Sequence, residues 1–148
     1  MAAVPSACLP IPEHIHAVPA VHGKLTRGGV PAPDVAIGLV DGRTAADCAR
    51  PTRATRTDSS GAFVLRGRSR MAPWTPLVLA HTNQKWRLCA GGEVLADVSA
   101  YAASGGISAV RLSCELNRLA DSTGSALGRA PWNDPRRPGA PCAYVGRR

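Results

Sequence analysis

Aromatic side chains are scarce in this chain: one Phe, three Trp and two Tyr among 148 residues. Any core must be assembled mainly from Ala, Val and Leu, and the length suits one domain with a core of modest size. Lysine is almost missing too, with only Lys24 and Lys85, so the net charge of +8 is carried by arginine. No apolar run reaches the ~18 residues of a bilayer-spanning helix. No Cys-x-x-Cys pair and no His at zinc-finger spacing occur, which excludes the common structural zinc sites. The arginines are not interleaved with aromatic residues and no basic helix is legible, so a nucleic-acid platform is not expected. G-x-S-x-G, a phosphate-cradling glycine loop and a recognisable triad are all absent. The expectation is no cofactor, no metal site and no enzymatic activity.

What the chain does have is punctuation, with 15 Gly and 13 Pro. Between those residues the apolar positions alternate. Val21, Gly23 and Leu25 oppose His22, Lys24 and Thr26 before Gly28-Gly29; Val35, Ile37 and Leu39 alternate before Asp41-Gly42. A polar strand then leads into the turn Asp58-Ser59-Ser60-Gly61, after which Phe63 and Leu65 share a face. "PLVLAHTN" and "KWRLCA" follow, the second with Trp86 and Leu88 on one side, while "EVLADVSAY" reads as a strand or a single helical turn. "ISAVRLSCEL" closes the series with Val110, Leu112, Cys114 and Leu116 together. Period-two alternation broken by turn formers roughly every 8–12 residues predicts an all-β fold, an antiparallel two-sheet β-sandwich of about seven strands. Phe63, Trp86 and Trp74 are its candidate large core residues.

The ends read differently. Residues 1–20 form a leader in which "VPSAC" has the small-residue-then-Cys ending of a lipoprotein signal, although Pro5 replaces the usual aliphatic residue. An unremarkable surface cysteine is the alternative reading of Cys8. After Asn117 the alternation dissolves, and residues 118–148, rich in Pro, Gly and Arg, are expected as a flexible tail or irregular wrap. The domain proper is thus placed at residues 21–117.

Within it, "VHGKLTRGGVPAPDVAIGLVDG" and "RATRTDSSGAFVL" resemble the carboxypeptidase regulatory-like domain, a transthyretin-like (prealbumin-like) sandwich. The matching positions are Gly23 and Leu25, then Gly29 and Pro31, then Val35, Ile37 and Leu39, and last the hairpin residues Thr57, Asp58, Gly61 and Phe63. Gly61 supplies the positive φ that the turn needs, Asp58 bonds backbone amides, and Phe63 enters the core. With the Cys-led leader, "WRLC" and "LSC", the chain also looks like small bacterial lipoproteins that carry this domain. That resemblance implies export, a lipid on Cys8, a true start upstream of Met1, and placement in the cell envelope; the alternative is a cytoplasmic protein if Met1 is the start. The implied partners are membrane lipid through Cys8 and a protein of unknown identity, in a structural or binding role.

Under that resemblance Cys48, Cys89 and Cys114 are the disulfide candidates. Trp86 and Leu88 face one way, which turns Cys89 toward a loop such as the one carrying Cys48, and Cys114 faces the core as a buried thiol. Cys48–Cys89 is the preferred pairing and Cys89–Cys114 the second; a bridge across the first loop adds roughly 3–4 kcal/mol. A hydrolase of the 5-hydroxyisourate type is the alternative on the same scaffold, since His22 and "GGVPAP" resemble its opening, but its Tyr-Arg-Gly-Ser ending is missing here. His14 and His16 share one side of an extended segment near His22, and three His can bind Zn or Cu. With no carboxylate or thiolate at useful spacing, solvated histidines are the expectation. "RGRSR", with Arg66, Arg68 and Arg70, is the densest basic run and reads as a solvated loop, or as a contact for phospholipid head groups or an acidic partner. An anionic-surface or edge-strand interaction module is therefore the remaining alternative.

Overall fold

The computed structural model describes residues 13–41, 48–72, 81–103, 107–117, 135–136 and 139–147. Eleven strands and no α-helix run through them. They are β1 (Glu13–Val18), β2 (Ala20–Arg27), β3 (Val30–Pro31), β4 (Ala36–Asp41), β5 (Arg53–Arg56), β6 (Ala62–Leu65), β7 (Arg68–Ala72), β8 (His81–Ala90), β9 (Glu93–Ala103), β10 (Ala109–Glu115) and β11 (Cys142–Arg147). The alternating segments of the sequence become β2, β4, β5, β6, β8, β9 and β10. "PLVLAHTN" and "KWRLCA" contribute to a single strand, β8, and the doubtful "EVLADVSAY" is the strand β9.

The strands form three sheets. One is the ribbon β1–β7; one has the order β11-β10-β2-β3 with β6 also on β2; the third has the order β5-β4-β8-β9. Pairing is antiparallel except between β2 and β10, which run parallel with Val21 beside Val110 and Leu25 beside Cys114. A parallel pair needs a long crossover, and here the whole chain from β3 to β9 intervenes. β3 takes the C-terminal end of β2 and β6 its N-terminal half, Val21–Lys24.

The hydrophobic cluster draws on both larger sheets: Val21 and Leu25 of β2, Phe63 and Leu65 of β6, Val110 and Leu112 of β10, with Ile37 and Leu39 of β4 and Trp86 and Leu88 of β8. These are the residues that alternation assigns to the interior, and burying each such side chain contributes about 1.5–3 kcal/mol. Phe63 stands opposite Gly23 in the β2–β6 register. A Cβ on Gly23 would lie only 2.1 Å from the Phe63 ring, so the glycine is the space in which the one phenylalanine sits.

The structure differs from the sequence expectation in four places. The four added strands, β1, β3, β7 and β11, are short and carry little alternation. Part of the expected leader, Glu13–Val18, is β1, and its Val18 is fully buried. Cys142–Arg147, in the expected tail, is β11, paired along β10. "RGRSR" is not a loop, since Arg68–Ala72 is β7; a charged strand is acceptable at an edge, where side chains reach water. Cys8, Trp74 and residues 118–134 lie outside the described residues.

Candidate functional site

The motif Thr57-Asp58-Ser59-Ser60-Gly61-Ala62-Phe63 is where the recognisable residues meet. It is not a hairpin: β5 pairs with β4 and β6 with β2, so the turn carries the chain from one sheet to the other. Asp58 closes it, its Oδ1 accepting from the amides of Ser60 (2.8 Å) and Ala62 (3.0 Å) and from the Ser60 hydroxyl (2.7 Å). The Ser60 hydroxyl, then the amides of Ala62 and Ser60, hold its carboxyl below the usual range. Gly61 has φ +74°, and a Cβ there would meet the Leu25 carbonyl oxygen at 2.3 Å, so both conformation and space demand glycine.

Thr57 has a larger role than its place in the motif implies. It is the buried polar residue at the junction, 5% exposed. Its hydroxyl donates to the Ala32 carbonyl (2.7 Å) and accepts from the Val35 amide (2.9 Å). Its backbone also exchanges bonds with Asp34 and Val35 at 3.0 and 3.1 Å. The turn is thus stitched to the 32–35 bend before β4, where Asp34 adopts φ +56° and takes a 2.7 Å ion pair from Arg56.

A second carboxylate is spent in the same way. The parallel register sets Glu115 beside Thr26, at the mouth of the Gly28-Gly29 turn, whose residues have φ +61° and +79°. Glu115 accepts from the amides of Gly28 (2.7 Å), Gly29 (3.1 Å) and Asn117 (3.3 Å) and from the Thr26 hydroxyl (2.8 Å). Desolvation pushes its carboxyl up, but the Thr26 hydroxyl and the amides of Gly29, Gly28 and Asn117 outweigh it and hold the group at about 2. Arg87 and Asp97 face each other across β8 and β9 in a two-bond pair, Nε to Oδ1 at 2.6 Å and Nη2 to Oδ2 at 2.9 Å.

Two disulfides hold the framework. Cys48 bonds Cys89, tying the loop after β4 to β8. That loop lies close on β4, because a Cβ on Gly38, the register partner of Cys89, would stand 2.7 Å from the Pro51 side chain. Cys89 lies on the face opposite Leu88, as the register partner of Gly38, and is buried there against the loop that carries Cys48 and Pro51. Cys114 bonds Cys142, its direct partner on β11. The expectation of a buried thiol at Cys114, and the second-choice pairing Cys89–Cys114, are thereby corrected: Cys114 does face the core, but a strand from the C-terminal segment brings a cysteine alongside it. Each bridge stabilises by roughly 3–4 kcal/mol on loop length. Two disulfides fit an oxidising, extracytoplasmic environment.

The remaining candidates are distributed. Trp86 is buried, with no partner for its indole N–H among the described residues. Arg66, Arg68 and Arg70 are exposed, and the Arg66 carbonyl accepts from Arg53. His22 and Lys24 lie exposed on β2 in register with Arg111 and Ser113 of β10 and with Val64 and Ala62 of β6. His14 and His16 lie on β1 with ring centres 5.7 Å apart. No family model, curated protein or solved structure matches the chain.

Proposed function

We propose that the chain is an exported β-sandwich module of the carboxypeptidase regulatory-like, transthyretin-like kind, held at a bacterial cell envelope by a lipid on Cys8 and acting by binding, not catalysis. The observation that carries this reading is the pair of disulfides, which suits an oxidising compartment and fastens a loop and the C-terminal strand onto core strands. The fate of the polar residues supports it further. Thr57, Asp58, Asp97 and Glu115 are engaged in bonds that hold the fold, which is the pattern of a scaffold. The hydrolase alternative draws less support, because the register neighbours of His22 are Arg111 and Val64, not an acid–base partner.

The partner class follows from charge. The net charge is +8, and Lys24 and Arg111 lie exposed on one face of the β2–β10 sheet. An acidic protein or anionic head groups complement that face.

The test is the intact mass of the protein made from its native locus, with and without reductant. A diacyl or triacyl adduct on Cys8, and a gain of four hydrogens on reduction, are expected. An unacylated chain with free thiols would return a cytosolic basic protein and overturn the proposal.

A further inference from the structure

In the fold Met71 lies on β7, across from β1 and its two histidines. In the β1–β7 ribbon His14 stands opposite Met71 and His16 opposite Ser69, while Ile15 and Val18 stand opposite Arg70 and Arg68. Directly opposed residues of an antiparallel pair share a face, as do residues i and i+2 along a strand. His14, His16 and Met71 therefore occupy one face, and Ile15 and Val18 occupy the other, where both are buried. His14 is exposed and Met71 is 56% exposed, so this face is open to solvent.

We propose that His14, His16 and Met71 form a binding site for a soft monovalent metal ion of the Cu(I) class. A metal–nitrogen bond of about 2.0 Å places an imidazole centre roughly 3 Å from the metal, so two rings on one ion have centres up to about 6 Å apart. The observed 5.7 Å satisfies that limit, with the rings tilted by 48°. The third donor decides the ion. Thioether sulfur favours soft Cu(I), whereas Mg, Ca and Mn require oxygen ligands and zinc sites are built with thiolate, imidazole or carboxylate. The exposed Arg68 and Arg70 lie on the other face of the ribbon, opposite Val18 and Ile15. Sequence reading finds the His14–His16 pair but not this site, because only the strand register brings Met71 beside it.

The experiment is a titration of the oxidised full chain with Ag(I), a redox-inert ion of the same charge and softness as Cu(I). It uses a Cys8→Ser background, so that the one cysteine outside the two disulfides does not compete. One equivalent is expected to bind and to shift the Met71 methyl resonance, distinguishable from that of Met1, together with the ring resonances of His14 and His16. Met71→Leu and His14→Asn, at exposed positions that leave the fold intact by circular dichroism, should each weaken binding by at least the roughly tenfold that outer-shell changes already cost. Zn(II) should bind more weakly than Ag(I). Binding that leaves the Met71 methyl unmoved, unchanged affinity in Met71→Leu, Zn(II) binding as tight as Ag(I), or no binding at micromolar Ag(I) would each overturn the site.

Discussion

The Thr57–Phe63 turn and the β1–β7 ribbon are both short, polar and close to the core, yet they use their side chains in opposite ways. In the turn, the functional groups point back into the fold: the Thr57 hydroxyl is buried with two partners, Asp58 collects three donors, and Phe63 fills the space over Gly23. In the ribbon, Ile15 and Val18 anchor one face while His14 and Met71 are presented to solvent on the other. The difference separates residue types that were kept for architecture from residue types that remain available for binding. A conspicuous motif is therefore not a site by virtue of being conspicuous, and an unremarkable methionine becomes interesting through its register.

The largest test of this contrast is Phe63→Ala, which empties the space over Gly23 and should cost about 3–5 kcal/mol in a denaturant titration. Close behind, Cys114→Ala with Cys142→Ala should lower stability by roughly 3–4 kcal/mol and release β11, seen as faster amide exchange along β10. Thr57→Val keeps the shape but leaves the Val35 amide and Ala32 carbonyl without their partner, and should cost about 1–3 kcal/mol.

Glu115→Gln is expected to cost about 1 kcal/mol at neutral pH, allowing for solvent screening of a partly exposed group. It also tests the pH dependence. Glu115 sits at about 2 in the fold against an ordinary value of 4.5, so its contribution is complete above about 4.5 and is lost as pH falls toward 2. Asp58 is lowered as well and acts in the same direction. Melting temperature should therefore drop through that window in the parent chain and drop less in Glu115→Gln. Smallest of all, Met71→Leu in the ribbon should change stability by no more than about 0.5 kcal/mol, as expected for an exposed position. A large loss there would erase the contrast between turn and ribbon.

How much of this was legible in the sequence depends on range. The alternation of Val21/Leu25, Phe63/Leu65 and Val110/Leu112 reports a face locally, and each pair is buried. The Cys48–Cys89 bond was within reach because the alternation that sets Trp86 and Leu88 on one face turns Cys89 to the other, toward the loop carrying Cys48. The Cys114–Cys142 bond was not, since alternation assigns a face but no neighbour, and Cys142 lies in a Pro- and Gly-rich segment without periodicity. The same limit hid the parallel β2–β10 pair, and with it the reason for Glu115: only that register brings the carboxylate to the Gly28-Gly29 amides. Asp58 to Gly61 announced a turn correctly, but that the turn crosses between sheets depends on pairings of β5 and β6 made elsewhere in the chain.

The central claim, an oxidised framework closed by two specific bridges, is tested most directly by a non-reducing peptide map of the protein made from its native locus. Two linked pairs are expected, Cys48 with Cys89 and Cys114 with Cys142, with none of the four open to alkylation before reduction. Four alkylatable thiols, or a Cys89–Cys114 link, would contradict it.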